Sequence, residues 1–183
     1  MDVYIEPVLP KPRLLIGGHG RIAETLATLG DLLCFRVTVN DPAADPISFP
    51  QAERVIVRDF DLTQTEIDPE TFVVIATQHK NDHLWLQKAL TGDAAYVALI
   101  ASQHRPRFVL DYLAAEGVPE PKIAKIHTPA GLDLGATTPE EIALSIMSQI
   151  VAVRRGAKIK PLELNRKSNA DRVITRCEPT NSG

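Results

Sequence analysis

The chain has 183 residues, of which 44% are hydrophobic and 23% charged, with a formal net charge of −3. This suits one well-buried globular domain and is too short for two sizeable ones. The charge gives no reason to bind nucleic acid or an anionic membrane, no apolar run spans a bilayer, and the N-terminus lacks a signal-peptide pattern; a cytoplasmic protein is expected.

Residues 1–12 carry three prolines and read as an arm preceding a single domain at 13–158. A first strand is expected at 13–16, a helix at 20–33 striped by Ile22, Leu26, Ala27 and Leu29, and a β-branched strand at 35–39. Cys34, beside that strand, reads as a small buried residue; with Cys177 it makes neither a disulfide framework nor a metal cluster. Residues 41–46, Asp-Pro-Ala-Ala-Asp-Pro, form a turn-rich stretch in which proline opposes regular structure. A third strand is expected at 55–57 and a fourth at 72–76, the latter an unbroken apolar run typical of a parallel strand covered on both faces. A helix then places Leu84, Leu86, Ala89 and Leu90 on its apolar positions, a fifth strand covers 95–100, and a helix at about 106–116 ends at Gly117.

A short apolar run near 123–126 precedes the loop His127-Thr128-Pro129-Ala130-Gly131-Leu132-Asp133-Leu134-Gly135. Thr138-Pro139-Glu140-Glu141 then spells a capping box with proline at the first helical position. The helix it opens carries an apolar stripe of Ile142, Ile146, Ile150 and Val151 and ends near Gly156. Residues 159–183 are polar without a clear period, and a flexible tail is expected there. Strands alternating with helices predict an α/β fold, a Rossmann-like, doubly wound, mainly parallel sheet with helices on both faces.

The functional signal is concentrated after the first strand. Gly18-His19-Gly20-Arg21-Ile22-Ala23 fits G-x-G-x-x-A, the phosphate-binding turn of a dinucleotide-binding unit. The first glycine permits the tight turn, the second lets a pyrophosphate approach the backbone, and small Ala23 lets helix and strand pack closely. Asp41 follows the second strand, 23 residues after Gly18, near the spacing of roughly 20 expected of an acid that holds a ribose 2′-hydroxyl. Further polar residues cluster after strand ends: Thr77, His79 and Asp82 after the fourth, Ser102 and Arg105 after the fifth, His127 and Asp133 after the sixth apolar run. In an open parallel sheet these loops converge on one crevice. His79 and His83 stand four residues apart, but no third fixed partner makes them a dedicated zinc site. Ser102 lacks a G-x-S-x-G elbow, which argues against a hydrolase.

The glycine turn, Phe49-Pro50-Gln51-Ala52, Thr77-x-His79-x-x-Asp82, the segment 96–102, and the run from His127 to Ala143 occur in an order that resembles the C-terminal Rossmann domain of the XdhC/CoxI family. The resemblance covers about 13–156, and its most specific part is 127–141. It implies an accessory, non-catalytic maturation factor for molybdenum hydroxylases such as xanthine dehydrogenase and carbon monoxide dehydrogenase, which binds the molybdenum cofactor and passes it to the apo-enzyme. That cofactor is often a molybdopterin dinucleotide, so the same turn and Asp41 suit it as well as NAD(P). On this reading Gly18, Gly20, Arg21, Ala23 and Asp41 hold pyrophosphate and ribose, while His79, Asp82, Ser102, Arg105, His127 and Asp133 line the pterin end. The family's usual N-terminal domain does not precede this segment, so a stand-alone partial version or one half of a split pair with a separate N-terminal-domain protein is expected. In the glycine turn the family's usual histidine is replaced by Arg21, with His19 two positions earlier. The alternatives are an NAD(P)-dependent oxidoreductase, for which His79/Asp82 is the visible acid–base candidate, and a purely structural Rossmann module. The default assembly is a homodimer.

Overall fold

The computed structural model describes residues 10–59, 63–77, 82–101 and 106–159. Strands β1 (Arg13–Gly17), β2 (Arg36–Asn40), β3 (Arg54–Ile56), β4 (Thr71–Ile75), β5 (Tyr96–Leu99) and β6 (Ile126–His127) form one sheet in which every pairing is parallel. Their spatial order is β3-β2-β1-β4-β5-β6. The order reverses between β1 and β4, so the sheet is doubly wound with its switch point there, the Rossmann arrangement. Register across the switch pairs Gly17 with Asn40 on one side and Ile75 on the other.

Helices α1 (Arg21–Leu32), α2 (Asp82–Thr91), α3 (Pro106–Ala115), α4 (Glu120–Ile123) and α5 (Pro139–Arg154) cover the two faces. Alternation along each strand sorts the core. Leu14, Ile16, Val37, Val39, Phe72, Val74, Tyr96 and Ala98 face α1 and α5, where Ala23, Leu26, Ala27, Ala143, Ile146, Met147 and Ile150 close the layer. Leu15, Val73, Ile75, Val97 and Leu99 face the other way, onto Trp85, Leu86, Ala89, Leu90, Val109, Leu113 and Ile123. All five residues of β4 are buried, as expected of a parallel strand covered on both sides.

Helix α5 is opened by the expected capping box. The Thr138 hydroxyl accepts from the Glu141 amide at 3.2 Å, and the Thr138 amide donates to Glu141 Oε2 at 3.0 Å. Several sequence expectations need correction. Within 41–46, Pro46 opens a short 3₁₀ turn (Pro46–Ser48) whose Asp45 cap accepts from the Ile47 amide at 3.0 Å; proline at a first helical position forfeits no hydrogen bond. Val151 is 36% exposed and Met147 takes its place in the stripe, because the buried set follows i, i+3, i+4, i+7 from Ala143. In α2 the expected Leu86, Ala89 and Leu90 are buried, but Leu84 is 40% exposed and Trp85 completes the face, one turn before Ala89. Cys34 is half-buried at φ 63°, in the turn that closes α1, and its sulfur is engaged rather than free. The apolar run at 123–126 splits between the end of α4 and the start of β6. The arm at 1–9, most of the tail and His79, Ser102 and Arg105 lie outside the described residues.

Two glycines separate backbone conformation from crowding. A Cβ on Gly18, at φ 134°, would sit 2.6 Å from the backbone carbon and oxygen of Ala76. Gly117, at φ 83° after α3, has open space around it. Gly117→Ala is therefore expected to cost only the left-handed backbone penalty, about 1–2 kcal/mol. Gly18→Ala adds a backbone overlap and is expected to cost roughly 3 kcal/mol or more. Urea unfolding of both variants checks the ranking; equal midpoints would show that the β1–β4 exit relaxes freely.

Candidate functional site

The carboxyl ends of β1 and β4 diverge around Gly17 and Gly18. The Ala76 amide donates to the Gly17 carbonyl at 2.7 Å, and the Gly18 amide donates to the Asn40 carbonyl at 3.3 Å. Both bonds extend the sheet one step beyond its strands and bring the turn 17–20 against the ends of β2 and β4. Gly20, at φ 90°, then caps α1 with no side-chain acceptor. The first intrahelical bond runs from the Glu24 amide to the Gly20 carbonyl at 3.0 Å. The amides of Arg21, Ile22 and Ala23 precede it and have no intrahelical acceptor; with the helix dipole they form an anion-seeking end.

Asp41 directly follows β2. Its amide donates to the Ile56 carbonyl at 3.1 Å, which ties it to the end of β3. Its carboxylate accepts from the Ala43 amide at 2.8 Å and lies 3.0 Å from His19 Nδ1. The glycine turn and the acid thus touch through His19. The wall behind them is a polar network that motif spacing does not reveal. Buried Asn40 donates to Thr65 Oγ1 at 3.2 Å, and buried Asp59 accepts from the Thr63 and Gln64 amides at 2.7 and 2.8 Å. Burial alone would push the Asp59 carboxyl up, but these amides and the Thr63 and Thr65 hydroxyls bring it below the ordinary carboxylate range. The signal for this wall was a strand ending in Asn with an Asp–Thr-rich connection downstream.

The other predicted residues are distributed unevenly. Ala23 is fully buried where α1 packs on the sheet layer it shares with α5. Arg21 points away from the turn: its Nε lies 2.7 Å from Glu140 Oε1 and its NH1 3.6 Å from Glu24. The guanidinium links the starts of α1 and α5 rather than standing free for phosphate. Thr77, after β4, donates to the Asp82 carboxylate at the first turn of α2, and both are buried. Burial raises the Asp82 carboxyl above the ordinary aspartate value, against the opposing Thr77 hydrogen bond and His83. Asp133 is exposed on the loop between β6 and α5.

His127 does not join the crevice. Its ring stacks on Tyr96, the first residue of β5, at 4.6 Å and 22°, so it turns toward the amino-terminal edge of the sheet. Gln149 of α5 holds it there. Gln149 Oε1 accepts from the Tyr96 hydroxyl at 2.5 Å and from the Gly131 amide at 3.0 Å. A backbone amide can only donate, so the Gln149 oxygen faces Gly131 and its NH₂ faces His127 Nδ1, 3.3 Å away. Nδ1 is then an acceptor and the ring is the neutral Nε2–H tautomer. Burial also lowers the His127 pKa. One side chain therefore binds β5, β6, α5 and the intervening loop together.

Residues 14–150 match the XdhC Rossmann domain. The chain belongs to the XdhC family. It is 32% identical over 163 residues to protein YqeB of Escherichia coli K12, covering 86% of this chain and 30% of that protein. It is 31% identical over 160 residues to a probable xanthine dehydrogenase component from Bacillus subtilis 168, covering 84% and 46% respectively. Among solved structures, that of a xanthine dehydrogenase from Bacillus halodurans superposes with a TM-score of 0.70 at 31% identity, over 81% of this chain and 44% of that one. The chain spans less than half the length of each of these relatives. The XdhC match contains the glycine turn, Asp41 and the segment from His127 to the α5 cap.

Two outcomes follow. Gln149→Leu leaves the Tyr96 hydroxyl, the Gly131 amide and His127 Nδ1 without their common partner and is expected to cost roughly 2–4 kcal/mol; urea unfolding checks this, and a loss below that of an ordinary surface substitution would refute the bridge. For Asp82 the folded-state pKa lies above the unfolded one. Its contribution is therefore full below the ordinary aspartate range and is lost as pH rises through the folded value. Asp82→Asn keeps an acceptor for Thr77 and is expected to flatten that decline, measured as unfolding midpoints across an acid-to-neutral pH series.

Proposed function

We propose that this XdhC-family chain is an accessory factor for a molybdenum hydroxylase of the xanthine or carbon monoxide dehydrogenase type. Its cargo on this reading is the molybdenum cofactor in dinucleotide form, held in the crevice at the switch point. The observation that carries the reading is the adjacency of the α1 amino terminus, whose Gly20 cap offers no side-chain acceptor, and the Asp41 carboxylate. The chemistry of these donors fits a pyrophosphate joined to a ribose: the amides of Ile22 and Ala23 would meet the diphosphate, and Asp41 would accept from ribose hydroxyls once His19 gives way. Bound, the cofactor supplies the molybdenum centre that the acceptor enzyme uses. The chain's own residues bind and orient it, and no acid–base pair is needed to hand it on. The names of the Bacillus relatives support the partner class.

A second reading rests on the same carboxylate. An acid at the end of β2 suits the free 2′-hydroxyl of NAD and repels a 2′-phosphate, so an NAD-binding module or oxidoreductase shares the geometry of the first half of the site.

The deciding experiment is to purify the full chain from a host that makes molybdenum cofactor, denature it, and identify the released small molecules. A molybdopterin derivative is expected; NAD instead would put the second reading first. Asp41→Ala is expected to weaken binding of the identified dinucleotide by roughly 10–100-fold, the worth of a hydrogen bond to a charged group. Unchanged affinity in both Asp41→Ala and Gly20→Val would remove the crevice from the account.

A further inference from the structure

Helices α1 and α5 lie side by side on one face of the sheet, and the Arg21–Glu140 bond joins their starts, so they run parallel and in step. Their outer face carries apolar side chains in the open: Leu144 is 51% and Leu32 70% exposed, and Val151 is exposed one helical stretch beyond Leu144. At 100° per residue, Glu140, Leu144, Ser148, Val151 and Arg155 fall within about 80° of arc on α5, and Thr25, Thr28 and Leu32 within about 60° on α1, both away from the buried stripes. The hydroxyls among them turn back into their own helices. Thr25 donates to the Arg21 carbonyl at 2.8 Å, Thr28 to the Glu24 carbonyl at 3.0 Å and Ser148 to the Leu144 carbonyl at 2.8 Å. The middle of the face therefore carries little unmet polar demand and loses its water at low cost. Its ends differ in charge. Glu24, Glu140 and Glu141 stand against Arg21 at the start, whereas Arg155 and Lys158 at the end of α5 pair with no carboxylate among the described residues.

We propose that this face is the contact with a second copy of the chain, packed antiparallel about a two-fold axis that crosses α5 between Met147 and Ser148. The residue order is self-complementary about that point. Leu144 and Val151 are equally far from it, and so are Glu140 and Arg155, so each apolar residue meets the other type across the axis and each acid meets a base. Because the helices are in step, the same axis crosses α1 beside Thr28, and Leu32 of one copy meets Thr25 of the other. Small Ser148 and Thr28 at the crossing let the helices approach closely. Two neighbouring helices of this length present roughly 20 Å by 20 Å, on the order of 400 Å² per copy, the size of a weak and reversible contact. The assignment does not rest on what the crevice binds.

The test is sedimentation velocity of the full chain over a series from low to several hundred micromolar, at low and at high sodium chloride. A reversible monomer–dimer equilibrium in the micromolar range is expected. Leu144→Asp places two charges beside the axis and is expected to weaken association roughly tenfold or more; Val151→Asp is a second variant of the same contact, and unchanged urea midpoints show that either variant still folds. Arg155→Glu sets a carboxylate against Glu140 of the second copy and is expected to weaken the dimer severalfold at low salt and little at high salt, because that pair is exposed and screened. Asp41→Ala and Phe108→Ser, the latter on α3 across the sheet, are expected to leave association unchanged. A chain that stays monomeric at every concentration overturns the proposal. So does a dimer that both aspartate variants leave intact, or one that Phe108→Ser dissociates, which would move the contact to α3.

Discussion

The architecture depends on how closely β1 and β4 part company. Their chains leave the sheet toward opposite faces, β1 into α1 and β4 toward α2, and at the parting point there is no room for a side chain. A Cβ on Gly18 would overlap the Ala76 carbonyl, and a Cβ on Gly17 would sit 2.7 Å from the Trp85 ring. The two consecutive glycines therefore answer to different neighbours, one to a backbone and one to an aromatic ring on the α2 side. The first glycine of the phosphate-binding pattern is in this chain a requirement of the fold before it is one of any ligand. Gly20 serves the other purpose: it caps α1 without occupying the amides that follow.

The fold was largely legible because its strongest signals are local. Unbroken β-branched runs mark strands buried on both faces, and Thr-Pro-Glu-Glu marks α5 through bonds that span three residues. The third strand and the short helices were harder, since three- and four-residue elements carry no full period. In α2 the stripe of Leu86, Ala89 and Leu90 was read correctly and only Leu84 was not, because which of the adjacent Leu84 and Trp85 turns inward is decided by the space above Gly17. Cys34 was misplaced for a similar reason: its backbone adopts a turn conformation that follows from how α1 ends.

The candidate site was legible in half. The glycine turn and Asp41 rest on backbone geometry that spacing encodes. The partners of their neighbours are far apart in sequence and left no comparable trace. Arg21 sits inside the phosphate-binding pattern but is committed to Glu140, 119 positions away. His127 follows an apolar run and so reads as a crevice residue, yet it lies within β6 and its position is set by Gln149, 22 positions on. A lone glutamine on a helix flanked by Ile146, Met147 and Ile150 was the available clue, since a polar residue bordering a core stripe needs a reason to be there.

These two long-range ties explain why the segment from His127 to Glu141 is so distinctive. It closes the domain: Gln149 pins its start to β5 and β6, the Leu132 amide donates to the Ser145 carbonyl at 3.3 Å midway, and Glu140 joins α5 to the first residue of α1 at its end. The last of these bonds has a consequence at the mouth of the crevice. With Arg21 neutralised by Glu140 and Glu24, the described part of the turn would meet the proposed diphosphate with amide dipoles instead of a guanidinium fork. Dipolar contacts orient a diphosphate without the deep charge pairing that would slow its departure. Under the proposed accessory role, in which a bound cofactor is surrendered to another protein, that arrangement would serve better than a free arginine at the same position.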